Sequence, residues 1–195
     1  DPTGYGDLTA FGKAPSGDLW AVWEGSCRAP VYSGPQRYHQ GAWRSAGFAY
    51  PDDFYPPHIS DIFIQDDQHL WFAYQRTTPS YTVVSGVVAL DDRGTPTDLS
   101  DDRWRDYPIT PESAAGSVVV DSLGRLWLGN SNGLYRYTGQ SWQLISNQYP
   151  VAQGICDLVT TPDGTLYAQG ASLYGCAGDD TSILRVAPDG TMTTP

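Results

Sequence analysis

Four copies of one short sequence pattern predict an all-β fold, a β-propeller of four four-stranded antiparallel blades. The copies are APSGDLWAVW (14–23), QDDQHLWFAY (65–74), DSLGRLWLGN (121–130) and TPDGTLYAQG (161–170). Each is a turn signal followed by a short apolar strand with an aromatic residue at one fixed place: Trp20, Trp71, Trp127 and Tyr167. A second series follows at Trp43, Trp104 and Trp142, with Met192 in the fourth slot. Repeats of about 40–50 residues built of several strands are the signature of propeller blades. Composition agrees: 21 Gly, 15 Pro and 13% aromatics, with only 17% charged residues, suit short strands joined by tight turns.

The chain is read as a single domain over 1–195, with blades at about 5–50, 58–110, 114–147 and 154–195. Blade one takes strands at 8–14, 18–24, 36–40 and 42–48. Blade two takes 59–65, 70–76, 86–91 and 103–109. Blade three takes 116–121, 126–130, 133–138 and 141–146, and blade four takes 155–161, 165–170, 182–187 and 190–194. Such blades form either a closed small ring or part of a larger propeller. In the first turn of blades one, three and four, Gly17, Gly124 and Gly164 supply the positive φ a hairpin needs. Blade two has Gln68-His69 there, which predicts a turn of another type. The large aromatics at fixed places are expected to fill the space between blades. Trp23 falls outside the repeat register.

Repeat length varies almost wholly between the second and third strands of a blade. Insertions stand at 25–35, 77–85 and 171–181, and blade three has almost none. Loops lengthened on one face of a repeat array commonly bind. The candidate ligand-binding residues on that face are His58, Arg76, Tyr81, Glu112, Gln153 and Tyr174, with Asp179 and Asp180 beside them; the alternative is that all are solvated loop residues.

The formal net charge is −11 and the pI about 4.3, with no Lys/Arg stripe. A nucleic-acid backbone would be repelled, so nucleic acid is not an expected partner. No apolar run approaches the ~18 residues that span a bilayer, and membrane insertion is not expected. The chain opens on Asp1, which reads as a processed or excised chain.

Cys27, Cys156 and Cys176 show no metal-ligand spacing. Cys156, at the start of a blade's first strand, and Cys176, in the following loop insertion, belong to one propeller face. A Cys156–Cys176 disulfide is therefore the expected pairing, with Cys27–Cys176 as its rival. Loop cysteines point to an oxidising compartment, extracellular or periplasmic.

Catalytic signatures are sparse. His39, His58 and His69 do not converge, and no nucleophile-elbow, zinc-protease or phosphate-loop motif occurs. The acid pairs sit at turns. No cofactor is expected; a structural calcium ion at Asp179-Asp180 or Asp52-Asp53 is the one ion their oxygens suit.

The stretch DSLGRLWLGNSNGLYRYTGQSW (121–142) resembles the repeat of two-component regulator propellers, through Asp121, Gly124, Leu126, Trp127, Gly129, Gly133, Leu134 and Tyr137. Blades one, two and four lack the Gly-Thr that follows the Trp in that family and show Val22-Trp23, Ala73-Tyr74 and Gln169-Gly170 instead. The resemblance implies an exported bacterial sensor domain. Three functions follow as expectations. The first is a non-catalytic extracytoplasmic module that recognises a small molecule or glycan. The second is a protein-binding scaffold. The third is an enzyme similar to the streptogramin B lyases, which use related repeats with a histidine and a metal; here only His58 lies near the expected face.

Overall fold

The computed structural model describes residues 6–25, 34–46, 57–98, 100–109, 115–145, 154–170 and 182–194. The described residues form sixteen strands and no α-helix, arranged as four antiparallel four-stranded sheets. Blade one is β1 (Gly6–Lys13), β2 (Leu19–Gly25), β3 (Gly34–His39) and β4 (Ala42–Ser45). Blade two is β5 (His58–Ile64), β6 (His69–Thr77), β7 (Val83–Asp91) and β8 (Arg103–Ile109). Blade three is β9 (Ala115–Val120), β10 (Leu126–Asn130), β11 (Gly133–Tyr137) and β12 (Trp142–Leu144). Blade four is β13 (Ile155–Thr160), β14 (Leu166–Gly170), β15 (Ile183–Val186) and β16 (Met192–Thr193). Strand order within every blade follows the chain, so the fold is the propeller that the repeats predict.

The first turns behave as their residues dictate. Gly17, Gly124 and Gly164 hold φ of 97°, 74° and 85°. Blade two solves the same turn with a side chain. The Asp66 carboxylate accepts from the Gln68 and His69 amides at 2.8 and 2.9 Å and from His69 Nδ1. An acidic side chain here mimics the backbone turn that glycine makes elsewhere.

All four first strands carry one extra residue against their partner, at Thr9, Ser60, Gly116 and Cys156. Such a bulge twists the strand and resets which side chains share a face. It puts Leu8 and Phe11 on one face of blade one, because Leu8 pairs with Trp23 and Phe11 with Ala21.

The chain divides into two compact units, Asp1–Pro108 and Ile109–Pro195. In the first, Trp20 meets Phe72 edge-on, with centroids 6.4 Å apart. Ala10, Val22, Ile59, Ile62, Leu70, Tyr74, Val88 and Leu90 complete the buried cluster, and Trp104 packs against it. In the second, Leu126, Leu128, Leu134, Leu158, Leu166, Leu184 and Val186 are buried.

Each unit also ties its two blades together through an arginine laid over the first blade's buried tryptophan. The Arg37 guanidinium stands 5.4 Å from the Trp20 ring, and Arg125 stands 5.4 Å from Trp127. Arg37 donates to Asp18 at 2.7 Å and, closer still, to Asp92 of blade two. Arg125 donates to Asp121 at 2.5 Å and to the Pro188 and Gly164 carbonyls of blade four at 2.8 and 3.3 Å. The arginines come from different strand positions, Arg37 from β3 and Arg125 from a turn, yet reach the same place. Removing a buried partner of this kind costs about 3–5 kcal/mol, because charges are left uncompensated.

Two expectations need correction. The stretch 77–85 is not a loop insertion. β6 runs on to Thr77 and β7 begins at Val83, so the two strands form a hairpin arm closed by 78–82. The β-branched run Thr77, Val83, Val84 keeps the ladder going. Nor does Trp43 fill an inter-blade space. Every residue of β4 is exposed, and Trp43 leans on Tyr38, with centroids 5.3 Å apart.

Candidate functional site

Strict alternation in two strands of blade two creates the candidate site. In β6, Leu70, Phe72 and Tyr74 turn into the core and are fully buried, so His69 and Trp71 turn the other way. In β8, Trp104 packs inward against Phe72 (5.8 Å between centroids), so Arg103, Arg105 and Tyr107 turn outward. Between these strands β7 contributes Ala89, paired directly with Trp71. Its single methyl group leaves room for Trp71 and Tyr107 to meet, with centroids 5.7 Å apart and planes at 46°.

The result is a groove of about 550 Å³ lined by His69, Trp71, Ala89, Leu90, Asp91, Arg103, Trp104, Arg105 and Tyr107. That volume lies in the range of small-ligand sites, roughly 300–1,000 Å³. Its floor is aromatic and its rim charged. The Arg105 guanidinium lies 4.9 Å from the Tyr107 ring centroid, a cation–π contact that orients it along the groove. Trp71 Nε1 donates to Gln65 at 3.0 Å, which fixes the indole plane.

The carboxylates near the groove stay ionised. Burial alone would raise Asp91, but hydrogen bonds from the Arg93 amide and guanidinium, with its charge, outweigh that and hold the group below the ordinary aspartate value. Burial likewise opposes and is outweighed at Asp66, where the Gln68 and His69 hydrogen bonds win. The site therefore offers π-faces, guanidinium donors and a carboxylate acceptor within one groove.

The residues chosen from sequence lie elsewhere. His58 opens β5 and pairs with Gln75, so it shares one end of blade two with Arg76, at the base of the hairpin arm. Tyr81 sits at the arm's tip, 73% exposed, with φ of 62°. Glu112, Gln153, Tyr174 and the acid pairs Asp179-Asp180 and Asp52-Asp53 lie outside the described residues. So do Cys27 and Cys176. Both expected pairings, Cys156–Cys176 and Cys27–Cys176, therefore fall on residues outside the described ones. Among the described residues no group of three or more His, Cys, Asp or Glu is placed to hold a metal ion. Sequence reasoning missed Arg103, Arg105 and Tyr107 and assigned Trp71 to packing alone. The alternation R-W-R-D-Y in 103–107 was the available signal, since Trp104, half-buried against the core, leaves its neighbours turned outward.

No protein-family model matches this chain, and no curated protein matches it. Solved structures do. The chain is similar to a catalytically inactive His-to-Ala variant of virginiamycin B lyase from Staphylococcus aureus, crystallised with quinupristin, with TM-score 0.55 and 13% identity. It is also similar to a protein of unknown function from Dyadobacter fermentans, with TM-score 0.61 and 13% identity. Both similarities cover 100% of this chain, which spans 71% and 65% of those chains. A third, at TM-score 0.48 and 11% identity, is to the extracellular domain of BT4673 from B. thetaiotaomicron, described as a hybrid two component system; it covers 100% of this chain and 28% of that one. At these identities the likeness is one of fold.

Proposed function

We propose that this chain is an exported, non-catalytic recognition module that binds a carbohydrate in the groove of blade two. One observation carries the reading: Trp71 and Tyr107 form an aromatic floor across Ala89, beneath a rim of Arg103, Arg105 and Asp91. A pyranose ring has an apolar C–H face and hydroxyls around its edge. The face suits an aromatic floor, and the hydroxyls both donate to a carboxylate and accept from a guanidinium. Export fits the Cys156–Cys176 disulfide expected from the sequence, since such bonds persist in oxidising compartments. Binding of this kind requires no cofactor.

The test is calorimetric titration of the chain against a panel of neutral and acidic oligosaccharides. At least one class binds, and Trp71→Ala and Arg105→Ala each weaken it by about tenfold or more, corresponding to about 1.4 kcal/mol. His58→Ala leaves that affinity unchanged. Turnover of quinupristin that disappears with His58→Ala would instead establish the lyase reading. Absence of glycan binding across the panel removes the proposal.

A further inference from the structure

The buried tryptophans of blades one and three hold the same place in the repeat but treat the indole N–H differently. Trp127 Nε1 donates to the Asp121 carboxylate at 2.9 Å. In blade one the place of Asp121 is taken by Ala14. The two close their turns alike: the Ala14 amide donates to the Asp18 carbonyl at 2.9 Å, and the Asp121 amide to the Arg125 carbonyl at 3.1 Å. Alanine has no side-chain acceptor. Trp20, only 2% exposed, therefore has its Nε1 buried with no hydrogen-bond partner from the protein.

Trp20 lines a polar cavity of about 10 Å³ between blades one and two, together with Arg37 of blade one and Asp92 and Asp102 of blade two. Arg37 and Asp92 are already paired with each other, and Asp92 also accepts from the Gly94 amide at 2.9 Å. Asp102 differs, because its Oδ1 is buried and unpartnered. One cavity thus brings together an unsatisfied donor of blade one and an unsatisfied acceptor of blade two. Desolvated polar groups of this kind are costly, and nearly all of them in folded chains have a partner.

Size and polarity decide what fits. A single water needs roughly 10–15 Å³ measured in this way, and two to four polar partners. The occupant must accept from an N–H and donate to a carboxylate, and water does both. A cation cannot accept from the indole. Among the described residues no group of three or more His, Cys, Asp or Glu is placed to hold a metal ion.

We infer that this cavity is a site for one water molecule, which accepts from Trp20 Nε1, donates to Asp102 Oδ1 and so joins two blades as the direct Trp127–Asp121 bond joins residues within one. The bridge responds to protons, because burial, with the charges of Asp92, Asp101 and Asp98, pushes the Asp102 carboxyl up to about 6 against the pull of Arg37. Arg44 of β4 lines the same cavity, and Asp18, held by Arg37 and His39, stands next to it. The ionised carboxylate only accepts from the water. The protonated carboxyl can donate to it, so the water turns and the Trp20 N–H senses the change.

Nuclear magnetic resonance of the ¹⁵N-labelled full chain tests this, with the Trp20 indole signal assigned by sequential connectivity. At about pH 8, where a carboxyl with a value near 6 holds no proton, that signal shows cross-relaxation with water of the sign that marks a long-held molecule. The cross-peak persists in Ser45→Ala and Thr95→Val, which remove the two hydroxyls that line the cavity and could relay it. On lowering the pH, the Trp20 indole shift titrates with a midpoint near 6. Asp102→Asn keeps an acceptor oxygen, so it retains the cross-peak and loses the titration. Absence of the water cross-peak in the wild type overturns the inference, and that result needs no variant to fold. So does a cross-peak that vanishes with either hydroxyl, an indole shift that does not titrate, or a titration that survives in Asp102→Asn and so belongs to His39.

Discussion

Asp18 and Asp102 show how one residue type takes opposite roles within one buried charge cluster. Burial by itself raises Asp18, but hydrogen bonds from His39 and Arg37 and their charges outweigh it, and the group is held below its ordinary value. Its stabilising contribution is present above the unfolded value and is lost as pH falls. Asp102 Oδ1 is buried without a hydrogen-bond partner, and the Arg37 charge only partly offsets that. Burial, with the charges of Asp92 and Asp101, pushes it up to about 6 from 3.8. The folded chain then holds a proton that the unfolded chain releases, so stability falls as pH rises from about 4 through about 6. Asp102→Asn removes that penalty. Melting temperatures of variant and wild type should coincide below pH 4 and diverge in the variant's favour above pH 6, followed by circular dichroism. A variant that melts below the wild type at pH 7 would show that the carboxylate's contacts outweigh its charge.

At the scale of the element, the bulged first strands decide how closely blades approach. In blade three, Gly129 lies against Ile155 of β13. A Cβ there would meet the Ile155 Cβ at 2.8 Å and its Cγ2 closer still. Gly129→Ala should therefore destabilise by about 1–3 kcal/mol through overpacking. Ile155→Ala alone should cost about 2–5 kcal/mol as a cavity. Because each relieves the other, the double variant should lose clearly less than the sum, measured by urea denaturation. Strict additivity would mean that the two strands do not press on each other. The same geometry bears on the groove: a Cβ at Gly86 of β7 would stand 2.5 Å from the Tyr107 carbonyl oxygen, so glycine lets β8 bring Tyr107 to Trp71.

Across the whole molecule, a net charge of −11 opposes compaction. Raising salt from about 0.01 to about 0.15 M shortens the screening length from ~30 to ~8 Å. The melting temperature of the chain should rise over that range, read by differential scanning calorimetry. A fall would mean that screening of ion pairs such as Arg37 with Asp18 outweighs relief of the general repulsion.

Strand content, blade number and turn glycines were legible in the sequence because they are local. Alternation of period two, an aromatic at a fixed place and Gly at a positive-φ turn are each set by a few neighbouring residues. β8 lies at 103–109 as the alternation predicts, and β10 at 126–130. The hairpin arm was misread because Thr-Pro-Ser looks like a loop, whereas strand pairing across the arm decides where a ladder ends. The candidate groove depended on tertiary structure for a different reason. Trp20, Trp71 and Trp127 occupy equivalent places in the repeat, but Trp20 and Trp127 are buried at 2% and 1% exposure while Trp71 floors a groove. Nothing in the residue or its register separates them. What separates them is which blade face is covered, and covering is a property of packing between elements far apart in the chain.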